Sequence, residues 1–292
     1  MALASVASAR QKGRTPKGKT SAADAASAPT LTRTTTRHET RRFGFGGTLT
    51  VYGAPAGSLT IESWPRNDLD ITADIELHAN TEEDLARLAT VNNFFIDSDF
   101  NHIIITTTGT HDRKFMKRVG KDFPKRLLGL PWKIDYHIRV PANTDLELYS
   151  GRGPVQITNV EGALRLSAGE GKIDLTLAGG DVAVTVQSGT INLNATDHSW
   201  RGRGADIRLA QGDLTVELPT DFNADINADI YQAGRIENAY AALKPRDDEQ
   251  QQTLPASERS LHGRAGGGGA TLSFSVGAGT IRIKQKAESA NP

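Results

Sequence analysis

The sequence predicts an all-β protein, a right-handed β-solenoid-like stack of short two-strand rungs with one short helix. Three observations carry this. Apolar and polar residues alternate over most of the chain after Thr48, a Gly-x-aliphatic unit recurs beyond Pro141, and turn residues break the alternating runs into short pieces.

Residues 1–42 are rich in Ala, Ser, Thr, Lys and Arg, carry nine basic residues against Asp24 and Glu39, and show no apolar period. They read as a disordered basic tail. Residues 1–9 end in the small-residue manner of a secretory cleavage site without a charged start or an apolar middle, so they are either tail or the stump of a signal peptide. Gly13-Arg14-Thr15-Pro16-Lys17-Gly18-Lys19-Thr20 is a literal phosphate-loop pattern. The motif works only between a strand and a helix, and neither flanks it here.

Alternation begins with Leu49 and Val51, continues through Leu59 and Ile61, and then through Leu69, Ile71, Ile75 and Leu77, with turns at Gly53-Ala54-Pro55 and Pro65-Arg66-Asn67-Asp68. These are half-buried strands. A helix is expected at about 82–92, where Thr81 and Asp84 resemble a capping box and Leu85, Leu88 and Val91 share one face. Strands resume at 101–108 and 132–140.

Beyond Pro141 the repeating unit appears as Gly153-Pro154-Val155, Gly171-Lys172-Ile173, Gly189-Thr190-Ile191, Gly212-Asp213-Leu214, Gly234-Arg235-Ile236 and Gly279-Thr280-Ile281. A second alternating strand precedes most of these units. A two-strand unit of about 20 residues cannot bury its apolar side alone, but stacked neighbours share ladders and one core. Ile191 and Leu193 would then point inward, and Thr190, Asn192 and Asn194 outward. The last interval is twice the usual length and contains a polar stretch, 240–269, read as one surface loop. A sandwich or barrel would also alternate, but has no need of one repeated glycine corner. The domain is expected over 43–286, with a short tail at 287–292.

Val140-Pro141-Ala142-Asn143-Thr144-Asp145-Leu146-Glu147-Leu148, followed by Ser150-Gly151-Arg152-Gly153-Pro154-Val155, Ala168-Gly169-Glu170-Gly171-Lys172-Ile173, Gln187-Ser188-Gly189-Thr190-Ile191 and Val276-Gly277-Ala278-Gly279-Thr280-Ile281-Arg282-Ile283, resembles the bacterial putative-adhesin family. The resemblance covers roughly residues 45–285. It implies a β-strand-repeat domain of undefined function, commonly secreted or envelope-attached. The matching motifs are strands and turns, so they speak for the fold far more than for an activity.

Thirty-four basic and thirty-four acidic residues cancel, so no long-range field favours nucleic acid. The absence of cysteine excludes disulfides, thiolate metal sites and Cys nucleophiles. The seven histidines are scattered, with no metal-ligand spacing, and no cofactor is implied. Asp225, Asn227 and Asp229 alternate on one strand as a row that could hold Ca²⁺ or sugar hydroxyls, or simply face solvent.

One local feature departs from the repeat, a basic insertion at 111–131. Between His111 and Arg139 lie nine basic residues against three acidic ones, with Phe115, Val119, Phe123 and Leu127 four apart. Lys114, Phe115, Lys117, Arg118, Lys121, Phe123, Lys125 and Arg126 are the candidate membrane or partner contacts. The competing reading is a solvated loop whose apolar residues fold back, since Gly120 and Pro124 oppose a clean helix.

The expected function is thus a non-enzymatic, adhesin-like binding or scaffolding surface outside the cytoplasm, whether periplasmic, envelope-associated or secreted, although no export signal is visible in the chain. Its ligand would be polysaccharide, protein or anionic lipid. A β-helix carbohydrate-active enzyme and a self-associating structural module are the alternatives.

Overall fold

The computed structural model describes residues 29–99, 101–245 and 259–286. The phosphate-loop pattern, the candidate signal stump, the tail at 287–292 and residues 246–258 of the polar stretch lie outside these. Among the described residues, sixteen strands form one sheet and two α-helices accompany it. In chain order these are β1 (Leu31–Arg42), β2 (Thr48–Tyr52), β3 (Leu59–Trp64), β4 (Asp68–Ala79), α1 (Glu82–Val91), β5 (Asn93–Ser98), β6 (His102–Thr108) and α2 (Arg113–Val119). There follow β7 (Trp132–Pro141), β8 (Asp145–Arg152), β9 (Val155–Thr158), β10 (Leu164–Leu177), β11 (Gly179–Ala195), β12 (Arg201–Leu218), β13 (Ala224–Asn238), β14 (Leu243–Pro245), β15 (Ser260–Ala265) and β16 (Thr271–Gln285).

The long strands are each two short strands joined at a glycine corner. Residues 164–170 of β10 pair in parallel with β8, and residues 173–176 pair with β9. The same two halves continue in register through β11, β12, β16 and β13. On the other side, β2 pairs in parallel with β8 and β3 with β9, then β6 with β2 and β7 with β3, so shorter strands continue the two halves of one sheet, which is not closed. At the corner Gly171, Gly189, Gly212 and Gly279 lie directly over one another. A Cβ on Gly212 would fall 1.8 Å from the Gly189 carbonyl oxygen, and one on Gly279 would fall 1.7 Å from that of Gly212. Only a residue without a Cβ permits that approach.

Once the corner fixes the register, period-two alternation builds continuous columns. Tyr136, Leu59, Val155, Ile173, Ile191, Leu214 and Ile281 follow one another through the second half, and Leu148, Leu166, Val184, Ile207, Phe274 and Ala228 through the first. All are buried. Phe274 lies opposite Ala228, a large residue filling the space that a small one leaves. Ile191 and Leu193 are buried as expected, while Thr190 is exposed and Asn192 and Asn194 are half-buried.

Both the first and the last rung of the chain sit inside the stack. β2 and β3 are flanked by β6 and β7 on one side and by β8 and β9 on the other, and β16 slots between β12 and β13. The doubled interval before Gly279 therefore marks an exchange of rung order as well as an insertion. Burial accounts for it. Both halves of β16 bury their alternate apolar residues, whereas β13 leaves residues 231–235 exposed and suits the outer position.

Two expectations are corrected. Residues 31–42 are not part of a disordered tail but form β1, antiparallel to β4. Thr at 32, 34, 35, 36 and 40 favours a strand. Arg37 lies 4.2 Å over the Phe94 ring and Arg33 pairs with Glu82 of α1 at 2.6 Å, contacts that stand in for a missing apolar period. The polar stretch 240–269 is not one surface loop. Tyr240 is buried, with its hydroxyl donating to the Pro219 and Thr220 carbonyls at 2.8 Å, and β15 and β14 close the stack beside β13 as antiparallel strands.

Helix α1 begins where expected, with the Thr81 side chain accepting from the Asp84 N–H at 3.1 Å. A second helix, α2, was not expected. Asp112 caps it, Gly120 ends it, and Pro124 starts a 3-10 turn at Lys125–Leu127. The two residues that oppose a long helix thus divide the segment into two short ones.

Replacing Gly212 by Ala should cost about 3 kcal/mol or more, because no neighbouring backbone can retreat without breaking the ladder. Gly129, with open space around it, should accept Ala within about 0.5 kcal/mol. Thermal or denaturant unfolding of both variants checks this, and equal losses would remove the corner from its proposed role.

Candidate functional site

The basic insertion folds back on itself. The Asp112 carboxylate accepts from the N–H groups of Lys114 and Phe115 at 2.8 and 3.0 Å. These bonds, chiefly that from Phe115, hold its pKa below the usual carboxylate range. Phe115 is buried, Leu127 joins the main core, and Phe123 packs half-buried against it. Phe115 and Phe123, expected among the contact residues, are therefore turned inward. Arg126 is also committed elsewhere, donating to Asp84 of α1 at 2.7 Å and so fastening the segment to the helix. His111 stands against Trp132, ring centroids 5.2 Å apart, and burial lowers its pKa despite the raising influence of Asp112.

What remains at the surface is mostly cationic, with Asp122 an exposed acid among the cations. Lys114, Lys117, Arg118, Lys121 and Lys125 are exposed, as is Arg113, and among the described residues none of the six makes a salt bridge. Arg118 lies 6.0 Å over the Phe115 ring. Between these charges Val119 is 49% exposed and Leu128 42%, two apolar tips in a basic surround. Leu128 falls outside the four-residue spacing and carries no sequence signal of its exposure.

The two outward faces of the stack differ in chemistry. On the second-half face, charged residues neutralise one another across and along rungs. Lys172 pairs with Asp174 at 2.8 Å, Arg282 with Asp213 and Glu237 at 3.1 and 2.9 Å, and Lys284 with Glu217 at 2.8 Å. The first-half face carries a row in which Phe95, Thr106, Tyr52, Tyr149, Ser167, Thr185, Arg208 and Ser275 occupy successive strands at one register position. Tyr52 and Tyr149 stack with centroids 4.9 Å apart and planes 9° from parallel. At the far end Tyr231, 71% exposed, shares with Arg208 and Ser275 a depression of about 390 Å³.

The row of Asp225, Asn227 and Asp229 is drawn into contacts with β15. Asp225 accepts from Arg264 at 3.2 Å, and Asp229 accepts from Ser260 at 2.7 Å with His262 at 3.3 Å. Among the described residues no group of three His, Asp or Glu side chains is gathered as a metal site. Near the outer end of the stack, Asp70 is buried and paired with His38 and Arg139, beside Trp64, which lies under the Arg66 and Arg139 guanidiniums at 4.9 and 4.8 Å. Burial alone would raise the Asp70 pKa, but the hydrogen bonds and charges of His38 and Arg139 together outweigh it and the net shift is downward.

No family model matches the chain, and no curated protein matches it. Among solved structures it is similar to a putative cell adhesion protein from Clostridium sporogenes, at 15% identity over 87% of this chain and 100% of that one, with a TM-score of 0.47. It is also similar to a putative adhesin from Bacteroides fragilis, at 12% identity over 87% and 97% of the two chains and a TM-score of 0.31. A putative lipid binding protein from Parabacteroides distasonis aligns at 12% identity over 86% and 96%, with a TM-score of 0.26.

Two stability predictions arise from these pairs. Replacing Arg126 by Ser should cost about 1 kcal/mol, because it strands the mostly buried Asp84, whereas Lys121→Ser should cost nearly nothing. The depressed pKa of Asp70 means that its contribution is fully present above its ordinary pKa of 3.8 and is lost as pH falls through the lower folded value. Melting temperature should therefore fall below about pH 4, and in Asp70→Asn that acid-side fall should be shallower from a lower starting point.

Proposed function

We propose that the chain is a non-enzymatic binding or scaffolding protein, a β-solenoid-like stack working outside the cytoplasm, at the cell envelope or exterior, and docking on anionic lipid through its basic insertion. The observation that carries this reading is the surface of that insertion. Six exposed cations without salt bridges among the described residues, against one exposed acid, Asp122, share this segment with the exposed Val119 and Leu128, on a chain whose total charge is zero. Elsewhere on the stack most Lys and Arg side chains are paired with acids of the same face. A free acidic polymer would need the cations alone. The two apolar tips favour a bilayer, where they could enter the headgroup region while the lysines meet lipid phosphates.

The extracytoplasmic part of the proposal is supported by the resemblance of the strand-and-corner sequences to a commonly secreted or envelope-attached family. Among the described residues no helix is long and apolar enough to cross a membrane. The enzymatic alternative gains nothing from the Asp225 to Asp229 row, because both carboxylates contact β15 side chains.

Sedimentation with phosphatidylserine-containing vesicles tests the docking. Residues 1–28, with five basic residues of their own, are removed from every variant compared. Each Lys or Arg near an anionic surface contributes about 1 kcal/mol. Replacing Lys114, Lys117, Arg118, Lys121 and Lys125 by Ser should therefore lower binding at least tenfold, and raising salt should weaken the parent's binding while leaving the variant's residue of it nearly unchanged. Equal sedimentation of parent and variant, or none by either, would remove the insertion from this role.

A further inference from the structure

We infer that the first-half face of the stack is a second binding site, which takes a neutral, linear glycan lying across the strands. This goes beyond the lipid docking proposed above and does not depend on it. Among the described residues five aromatic side chains are exposed, namely Phe45, Tyr52, Phe95, Tyr149 and Tyr231. Four of them are on this one face, and the opposite face, with its paired charges, has none. Isolated exposed aromatics are unremarkable, but four confined to one face, three of them at one register position, mark a contact surface.

The row has the chemistry of a sugar rather than of an ion or a lipid. Tyr149 stands with its stacked partner Tyr52 at one end, and Tyr231 at the other. The floor between them is Ser167, Thr185 and Ser275, whose hydroxyls lie among small neighbours such as Gly169, Ala210 and Gly277. Its charged members are already engaged: Arg208 donates to both carboxylate oxygens of Asp206 at 3.1 and 2.6 Å, and Asp229, at the same position on β13, accepts from Ser260 at 2.7 Å. An uncharged ligand that presents flat apolar ring faces and many hydroxyls matches this set of groups. Tyrosine suits it from the protein side, offering a rigid apolar face with a polar tip at little entropic cost.

The length of the row also favours a chain over a single ring. From Tyr149 on β8 to β13 the ladder takes five strand steps, about 24 Å at the usual strand spacing. The steps present Tyr149, Ser167, Thr185, Arg208, Ser275 and Asp229 in turn, so a polymer advancing by one ring per strand would meet an aromatic or polar group at every residue. The depression of about 390 Å³ beside Tyr231 would hold the terminal ring.

Titration calorimetry of the full chain with cellohexaose, chitohexaose and xylohexaose, and with cellobiose as the short comparison, tests the assignment. At least one hexasaccharide should bind at millimolar or lower concentration, and cellobiose at least fivefold more weakly. Tyr149→Ala and Tyr231→Ala should each weaken binding fivefold or more, while Tyr149→Phe, which keeps the ring, should lose less than twofold. The insertion variant lacking five cations should bind glycan as the parent does, so failure of the lipid reading leaves this one standing, and the reverse. Melting temperatures within about 2 °C of the parent would show that the surface variants are folded. Three results would overturn the inference: no hexasaccharide binding, binding that survives both alanine replacements together, or a concentration-dependent dimer lost in those variants without any glycan binding.

Discussion

The glycine corner is the constraint from which the rest of the architecture is built. A Cβ at Gly153, Gly171, Gly189, Gly212, Gly234 or Gly279 would overlap a carbonyl oxygen of the adjoining rung at 1.7–2.0 Å. The rungs can approach to ladder distance only because these positions carry hydrogen there. Their φ values, from +131° to +158°, also turn each strand through a conformation that other L-residues rarely adopt. Since one glycine must meet the next, register is set at the corner and carried outward along both halves. A slip of one residue would expose every Leu, Ile and Val of a rung, so the corner and the hydrophobic columns enforce the same alignment.

A parallel stack leaves an unpaired ladder at each end, and the chain deals with this without an ordinary final rung. At one end β4 lies antiparallel on β7 and β1 antiparallel on β4, and β5 lies antiparallel on β6; at the other, β15 covers the first half of β13 and β14 lies on β15. The outermost of these long edges, β1, is rich in Arg and Thr and poor in apolar residues, which discourages another strand from adding to it. Placing β2, β3 and β16 inside the stack has a related effect. The first and last rungs of the chain gain neighbours on both sides and are held by two ladders rather than one. The cost is kinetic, because such pairings close long loops before they are rewarded.

Much of this was legible in the sequence because each feature has a local signature. Period two marks Ile173, Leu175 and Leu177 as one inward set, the corner needs glycine at a fixed position, and Thr81 announces α1. Strand β1 was not legible because its stability is tertiary: Arg37 on Phe94 and Arg33 with Glu82 join residues roughly fifty positions apart. Nor does the sequence state which rung stacks on which, since β13 and β16 carry the same corner motif and differ only in how much of each can be left exposed. The insertion's cations were visible because they are contiguous. Phe95, Tyr52 and Tyr149 were not visible as a set, because only the register brings them into one row, and Tyr231 joins them on that face through the irregularity of β13 after Ile230.

That row and the insertion divide the surface by the range over which each can act. With equal numbers of acids and bases the whole chain exerts no net field, and on the second-half face the charges cancel within a few ångströms. At physiological salt the field of the insertion fades over about 8 Å, so its cations act only when an anionic surface is already near. Contact through the aromatic row has shorter range still and gains little until rings touch. On the binding roles proposed above, such a protein would not be steered to its ligand from a distance; attachment would depend on many simultaneous short-range contacts along one face. The glycine corner supplies that face, since it is what keeps the side chains of successive rungs at one height and in one line.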